Sequence, residues 1–223
     1  MSAISVVTAA YQRPKMLARA IASVRGQTFA DYEHIIVDDG SAAPLWPTVA
    51  PFAREDRRII FARQANAGQA AALNLAIAMA RSPFVAFLDD DDEYAPTHLA
   101  RRVAFLAKHP SVDLVWGGAR VVGPRARQFV ADLERPGKRI HFSQCHLLGT
   151  FVVRRAILRR VRGLRQLVSM DYDLYQRIDA LGAKVVQAKW PTLVYHVEGD
   201  DRVSLRSKNI GANGQLAKAP IGS

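Results

Sequence analysis

A short apolar run followed at once by four aspartates constrains the fold of this chain most strongly. Residues 84–88 read Phe-Val-Ala-Phe-Leu, which has the length and the β-branched and aromatic content of a buried strand. Asp89 to Asp92 follow directly, where that strand is predicted to end. Neighbouring carboxylates resist joint ionisation, and a divalent cation such as Mg²⁺ or Mn²⁺ relieves this repulsion. The alternative is a solvated acidic turn that caps the next helix.

Strands and helices are predicted to alternate, which is typical of a mostly parallel, doubly wound sheet flanked by helices. Residues 149–163 start as a strand and continue as a basic helix, whereas 123–144 have weak periodicity and are predicted to be a loop-rich insertion. The apolar patterns predict strands at 4–8, 34–37, 58–62, 84–88, 113–116, 183–187 and 191–196, and helices at 15–25, 66–80, 97–108 and 169–178.

The carboxyl ends of parallel strands share one edge of a sheet, where open α/β proteins bind ligands. The strand at 34–37 ends in Asp38-Asp39-Gly40-Ser41, so its acidic pair and the pair near Asp91 are expected to converge on one ligand. The sequence has no G-x-G-x-x-G and no P-loop lysine motif, which excludes a dinucleotide fingerprint and a Walker site as the explanation.

The length of 223 residues favours one sizeable domain. A single cysteine, Cys145, excludes an internal disulfide framework and a Cys-rich zinc site, and it fits a reducing cytosol. The sequence shows neither a signal-peptide pattern nor an apolar stretch long enough for a membrane span. We therefore expect a cytoplasmic protein, with a peripheral contact at the inner face of the membrane as an open option.

Positive charge is concentrated in the second half of the chain. Residues 1–124 carry 13 Lys/Arg against 12 Asp/Glu, whereas residues 125–223 carry 18 against 8. The second half is expected to face anionic lipid, a phosphate-bearing substrate or nucleic acid. The basic segment 154–165 suits a membrane surface or a polyprenyl-diphosphate acceptor, or it is an ordinary surface helix. No compact nucleic-acid-binding motif is present, and no nucleic-acid partner is expected.

Three sequence blocks occur in an order and spacing that together are highly specific for one protein family. They cover residues 5–41, ending in Asp-Asp-Gly-Ser, residues 66–96, ending in Leu-Asp-Asp-Asp-Asp-Glu-Tyr-Ala-Pro, and residues 169–182, Ser-Met-Asp-Tyr-Asp-Leu-Tyr-Gln-Arg-Ile-Asp-Ala-Leu-Gly. From Ile4 to about His196 the chain resembles the GT-A-fold glycosyltransferases of family 2, which are inverting enzymes that use nucleotide-diphosphate sugars.

The resemblance implies an α/β GT-A domain at 1–197, in which 1–96 binds the nucleotide sugar and 97–197 binds the acceptor, followed by a polar C-terminal tail at 198–223. It also implies a Mn²⁺ or Mg²⁺ cofactor held by Asp91, and Asp171 as the catalytic base. In the nucleotide site it implies that Tyr11 stacks on the base, that Asp39 accepts from a uracil N–H and that Asp90 contacts the ribose or diphosphate. Ala9, Asn66 and Gly68 complete that site.

The chain departs from the family pattern at several positions. The proline and asparagine usual around the first turn are Ala9 and Gln12, and the glutamate before the base is Met170. The arginine common before Asn74 is Leu73, so Arg63 is a candidate to supply that charge to the diphosphate.

Three further residues have a functional and a structural interpretation. His196 follows a predicted strand and is either a metal ligand or a hydrogen-bonded strand-end residue. Trp116 and His146 are candidates for the acceptor pocket, where Trp116 would form a stacking wall for a sugar. The alternative for Trp116 is an ordinary core aromatic.

The function implied is transfer of a sugar from a UDP-linked or related donor to a hydroxyl of a saccharide or lipid-linked acceptor, in polysaccharide, lipopolysaccharide or other glycoconjugate synthesis. The first alternative is transfer to a polyprenyl phosphate, which depends less on Asp171 because that acceptor is already ionised. The second is a non-catalytic nucleotide- or nucleic-acid-binding protein, suggested by the net charge of +11.

Overall fold

The computed structural model describes residues 2–197 apart from 133, 134, 136 and 168. The predicted tail at 198–223 lies outside the described residues. The strands are β1 (Ile4–Ala10), β2 (Tyr32–Asp38), β3 (Ile59–Arg63), β4 (Phe84–Phe87), β5 (Glu93–Tyr94), β6 (Leu114–Trp116), β7 (Ala119–Val122), β8 (Phe129–Ala131), β9 (Arg139–His141), β10 (Val152–Arg154), β11 (Val185–Gln187) and β12 (Leu193–His196). The helices are α1 (Pro14–Arg25), α2 (Trp46–Glu55), α3 (Gln69–Met79), α4 (His98–Lys108), α5 (Arg155–Arg160) and α6 (Met170–Asp179), and 3₁₀ turns occur at Arg125–Arg127, Phe142–Gln144 and Leu148–Thr150.

A seven-stranded sheet in the order β11-β6-β10-β4-β1-β2-β3 forms the centre of the molecule. Strand β10 runs antiparallel to β4 and β6, and the other neighbouring strands are parallel. A three-stranded sheet, β5-β12-β7, and the hairpin β8-β9 stand apart from it. The sequence-based prediction of a mostly parallel α/β sheet is confirmed.

Helices cover both faces of the central sheet, which is why its inner strands are apolar along their whole length. All seven residues of β1 are buried, as expected of a parallel strand packed on both sides. Val7 packs with Leu73 of α3 and Leu174 of α6, whereas Val6 packs with Val24 of α1 and Leu99 of α4. Adjacent residues of one strand therefore belong to opposite core layers.

Three predicted elements differ from the structure. Helix α2 was not predicted, because Pro47 and Pro51 interrupt its pattern, although Val49 and Ala50 are buried. The loop-rich insertion at 123–144 contains the hairpin β8-β9, whose three-residue strands are too short to show a period. The basic helix is only six residues long, and it is followed by left-handed backbone at Arg162 (φ 58°) and Gly163 (φ 71°).

Candidate active site

The acidic strand ends lie on one edge of the central sheet, as the sequence predicts. Strands β4, β1 and β2 are parallel neighbours, so their carboxyl ends share that edge. The turn after β1 touches both acidic segments: Tyr11 N donates to Asp90 Oδ2 (3.2 Å), and Gln12 N donates to Ser41 Oγ (2.9 Å). The Tyr11 side chain is 43% exposed, so its ring is open to a stacking partner.

Asp39, predicted to bind the nucleotide, accepts hydrogen bonds from the loop before α3. Its Oδ1 accepts from Ala67 N (3.0 Å) and Gln64 Nε2 (2.8 Å). Its Oδ2 accepts from Gly68 N (2.9 Å), and its carbonyl accepts from Asn66 Nδ2 (3.0 Å). These bonds attach the end of β2 to the loop that enters α3. A carboxylate oxygen has two lone pairs, so Asp39 retains acceptor capacity for a ligand.

An open pocket of about 460 Å³ lies at the end of β3 and the loop that follows it, and Gly40, the residue after Asp39, lines its other side. Arg63 lines this pocket. Its Nε lies 3.3 Å from Asp38 Oδ2, and its Nη2 donates to Ser41 O at 2.8 Å. The pocket is lined by Gly40, Arg63, Gln64, Ala65 and Asn66. Ala9 is buried within β1, at 8% exposure. The structure therefore gathers most of the predicted nucleotide-binding residues at one end of β2 and β3.

Two carboxylates of the acidic turn converge on one point. Nη1 of Arg13 lies 3.3 Å from Asp90 Oδ1 and 2.9 Å from Asp91 Oδ2. Such oxygen donors fit Mg²⁺ or Mn²⁺, which typically use one or two carboxylates together with substrate phosphates. In the described part of the chain, no three His, Cys, Asp or Glu side chains form a ready-made metal cluster. The residues present thus fit a cation that shares its coordination with a phosphate-bearing ligand.

The acidic turn holds protons near neutral pH. Burial, and then the charges of Asp91 and Asp90, raise the pKa of Asp89 to about 8. Burial and the Asp91 charge raise the pKa of Asp90 to about 7. Burial also raises the pKa of Asp92 well above its ordinary value. The cluster is electrostatically strained when all its members are ionised, which is the condition that a bound cation relieves.

His196 lies behind the acidic turn, at the end of β12. Its backbone N donates to Asp92 Oδ1 (2.9 Å), and its Nε2 lies 2.7 Å from Glu93 Oε1. Arg19 Nε contacts the same Glu93 oxygen at 3.4 Å. The imidazole is thus engaged with Glu93, and a metal-binding role for His196 stays a prediction.

Asp171 sits in the first turn of α6. Its Oδ1 accepts from Tyr172 N (2.8 Å), and burial raises its pKa to about 6. Its charge contributes to the raised pKa of Asp89. Asp173 has a different role, because Arg177 Nε donates to its Oδ2 at 2.8 Å. The two residues are four positions apart on α6, which places them on the same face of the helix.

An aromatic cluster adjoins Asp171. Trp116 and His146, predicted separately for the acceptor pocket, stack with ring centroids 4.1 Å apart. Tyr175 lies 5.7 Å from Trp116 and 3.9 Å from His146 between ring centroids, and Tyr172 lies 5.6 Å from His146. Trp116 is only 8% exposed and packs within the core. It therefore fits the interpretation as a core aromatic, and its contact with a sugar stays a prediction.

The sequence-based reasoning placed Asp89 in the acidic turn without its interaction with Asp171, and it did not identify three residues of this site, Arg13, Tyr172 and Tyr175. Arg13 bridges the acidic turn, Asp89 interacts with Asp171, and Tyr172 and Tyr175 complete the aromatic cluster. Tyr175 had a readable signal, since it follows the expected base at i+4 and so lies on the same face of the helix. The position of Arg13 had none, because it depends on the left-handed backbone of Gln12 (φ 57°).

Comparison with known proteins decides the family. The sequence profile of Glycosyl transferase family 2 matches residues 5–167. The chain belongs to glycosyl transferase family 2. This match covers β1 through the loop before α6, and it includes both acidic strand ends.

Relatives and solved structures agree with the family and the GT-A fold. The chain is 38% identical over 142 residues to the succinoglycan biosynthesis protein ExoW of Rhizobium meliloti, covering 60% of this chain and 44% of that protein. The family 2 domain also superposes on S. aureus TarS 1–349 in complex with UDP-GlcNAc (TM-score 0.73, 20% identity, 92% of this chain and 61% of that chain). It superposes on the mannosyltransferase PcManGT of Pyrobaculum calidifontis, in complex with GDP-Man and Mn²⁺ (TM-score 0.71, 18% identity, 93% and 60%).

The chain therefore spans less than half the length of ExoW and about three fifths of each of the two solved chains. None of the helices in the described part combines the length and the apolar character needed to cross a bilayer.

Proposed function

We propose that this chain is a cation-dependent, inverting glycosyltransferase that moves a sugar from a nucleotide-diphosphate donor, UDP-linked in the first instance, to a hydroxyl group. The observation that carries the proposal is the position of Asp171. A carboxyl on the acceptor side of the chain, with its pKa raised to about 6, interacts with the acidic turn that ends β4. The proposed base therefore lies within electrostatic range of the proposed donor-phosphate site.

The nucleotide would occupy the pocket beside Asp39. Its base would stack on the exposed Tyr11 ring and donate an N–H to a free lone pair of Asp39. Asn66 and Gly68 are fixed there by their bonds to Asp39. Arg63 lines the same pocket and would supply positive charge toward the phosphates. Support for a nucleotide-sugar donor comes from the complexes of TarS with UDP-GlcNAc and of PcManGT with GDP-Man.

Asp91, with Asp90 beside it, would hold the cation. When bound, Mg²⁺ or Mn²⁺ supplies charge neutralisation for the departing diphosphate. On the other side of the anomeric carbon, Asp171 takes the proton of the acceptor hydroxyl as its oxygen attacks. A pKa near 6 leaves this carboxylate ionised at neutral pH, yet basic enough to accept that proton in the transition state.

The acceptor would lie against the aromatic cluster formed by Trp116, His146, Tyr172 and Tyr175. Aromatic faces pack against the apolar faces of sugar rings, and α6 carries two of these rings, Tyr172 and Tyr175, together with Asp171. A saccharide or a saccharide-bearing lipid fits such a wall. The rival acceptor, a polyprenyl phosphate, would carry its own negative charge and would need no proton acceptor at Asp171.

The test of this proposal is release of the nucleotide from a panel of UDP- and GDP-sugars, with Mn²⁺ or with EDTA, and with saccharide or polyprenyl-phosphate acceptors. The proposal expects acceptor-stimulated release of UDP that EDTA abolishes. Nucleotide binding without turnover of any donor would favour the non-catalytic alternative.

A peripheral membrane contact through 154–165 is a proposal that rests on the exposed arginines of this segment and not on its apolar residues. Ile157 and Leu158 of α5 are buried in the core, so they are not available to enter a bilayer. Arg159, Arg160 and Arg162 are exposed and could contact anionic headgroups electrostatically. Sedimentation with vesicles containing phosphatidylglycerol, at low and high salt, tests this contact. Binding that salt does not weaken would contradict it.

A further inference from the structure

Arg13 occupies the point on which two carboxylates of the acidic turn converge. Its Nη1 is 3.3 Å from Asp90 Oδ1 and 2.9 Å from Asp91 Oδ2. The Arg13 side chain is about a quarter exposed, at 27%, so it approaches the carboxylates from the open side of the edge. It is a single positive charge placed where the proposed function requires a divalent one.

The backbone around Arg13 is built to present this side chain. Gln12 adopts a left-handed conformation (φ 57°) and is anchored by its N–H to Ser41 Oγ. Arg13 itself is the residue before the first turn of α1, with φ −124° and ψ 61°. A non-glycine residue in left-handed conformation costs free energy and persists where the surroundings hold it. The turn therefore directs one arginine to the acidic end of β4.

We infer that Arg13 is a resident substitute for the cation, and that it exchanges its bonds to Asp90 and Asp91 for bonds to the donor diphosphate when cation and nucleotide bind. This inference rests on the proposed function and extends it by naming the residue that couples cation binding to donor binding. A guanidinium is suited to both states because its fork of N–H donors matches carboxylate and phosphate geometry alike.

Two physical arguments require the exchange. A guanidinium and a divalent cation repel each other and compete for the same oxygen atoms, so both cannot be held there together. The displaced arginine still begins α1 at the donor edge, where the incoming phosphates are the nearest new anions. Leu73 stands where the family resemblance implies an arginine. Arg63, the other cation proposed for the phosphates, is already bonded to Asp38 and Ser41, so a second guanidinium would add to the charge that meets the diphosphate.

The exchange predicts a result that is not expected if Arg13 has only a structural role. Replacing Arg13 by glutamine removes a competitor for the cation and, at the same time, a ligand for the diphosphate. Arg13→Gln is therefore expected to bind Mn²⁺ alone at least about fivefold more tightly than the wild type, and UDP in the presence of saturating Mn²⁺ at least about tenfold more weakly. The two affinities move in opposite directions.

The experiment measures free Mn²⁺ by electron paramagnetic resonance for the first affinity, and UDP binding by calorimetry for the second. Arg25→Gln is the matched control, because Arg25 lies on the same helix but pairs with Glu55 at 3.0 Å, away from the edge. It is expected to change neither affinity. Arg13→Lys, which keeps one charge but lacks the fork, is expected to fall between wild type and Arg13→Gln in both measurements, and it serves if the glutamine variant does not fold.

The outcomes separate the inference from the proposed function. If the wild type binds UDP with Mn²⁺ but the Arg13 variants shift both affinities in the same direction, or leave Mn²⁺ binding unchanged, the inference is overturned and the proposed function stands. If the wild type shows no Mn²⁺-dependent UDP binding, the proposed function fails and this inference fails with it.

Discussion

The indole of Trp116 and the imidazole of His146 stack with their ring centroids 4.1 Å apart and their planes inclined by 30°. Trp116 ends β6, whereas His146 precedes the 3₁₀ turn at Leu148–Thr150, so the contact joins two distant parts of the chain. Tyr175 of α6 packs on both rings. Since α6 also carries Asp171, one helix aligns the proposed base with the proposed acceptor wall.

His146→Ala is expected to raise the KM for the acceptor about tenfold and to leave UDP binding unchanged, because it removes one ring of the wall and nothing from the donor pocket. The measurement is steady-state kinetics with the best acceptor of the donor–acceptor panel, alongside UDP calorimetry. His109→Ala, an exposed histidine at the end of α4, is the control. If His146→Ala lost UDP affinity by as much as its acceptor KM rose, His146 would have to be assigned to the donor site instead.

Asp171→Asn is expected to lower kcat by about 10² to 10⁴, the range associated with loss of a general base, with the Kd for UDP within about twofold of wild type. The amide keeps the shape of the side chain but cannot accept the proton. Asp173→Asn, which disturbs the ion pair with Arg177, is expected to lower the melting temperature and to leave kcat nearly unchanged. A kcat for Asp171→Asn close to wild type would favour an acceptor that is already ionised, such as a phosphate.

The metal-free chain is expected to lose stability as the pH rises from about 6.5 to 8. The pKa of Asp89 is raised to about 8 and that of Asp90 to about 7. The folded chain keeps these protons where the unfolded chain has already released them, so raising the pH favours unfolding. Burial lowers the pKa of His34 to about 3. This histidine makes the stability of the fold rise with pH, but only below the ordinary histidine pKa, so it does not offset the loss between pH 6.5 and 8.

This pH dependence is measured as melting temperature in EDTA at several pH values. Asp89→Asn should flatten the decline, and saturating Mn²⁺ should raise the melting temperature more at pH 8 than at pH 6.5. A melting temperature in EDTA that rises across this window would show that the acidic turn is ionised without penalty.

Gly118→Ala is expected to destabilise the fold by about 4 kcal/mol or more, since an added Cβ would meet a rigid backbone. Gly118 has φ +82°, and its Cβ would lie 1.9 Å from the Trp190 carbonyl oxygen. Gly137 has the same φ of +82° but nothing within 4 Å of its Cβ position. Gly137→Ala should therefore show only the cost of left-handed backbone, about 1–2 kcal/mol. Equal losses of unfolding free energy in denaturant titrations would refute the steric argument.

Features of the site that are encoded locally could be predicted from the sequence. A buried strand and the carboxylates that end it are contiguous in the chain, so Asp39 and Asp91 could be assigned to strand ends, and the parallel topology then placed both on one edge. Asp171 could be assigned to the start of a helix from its family block. In each of these cases the signal spans only a few neighbouring residues.

Other features depend on contacts between distant residues, and these could not be predicted. The antiparallel insertion of β10 between β4 and β6 depends on how the chain reverses before it. The bond from Arg13 to Asp91 depends on a left-handed turn at a glutamine, a residue type that does not signal such a turn. Helix α2 was hidden by two prolines, of which Pro47 is in the first turn, where proline is tolerated.

The most direct test of the account is calorimetric titration of UDP into the wild type and Asp91→Ala, with and without Mn²⁺, with GDP as the comparison nucleotide. The account predicts UDP binding that requires Mn²⁺, is weaker for GDP and is lost in Asp91→Ala while the melting temperature in EDTA is maintained. UDP binding of equal strength in EDTA, or in Asp91→Ala with Mn²⁺, would contradict the assignment of this acidic edge as a cation-dependent donor site.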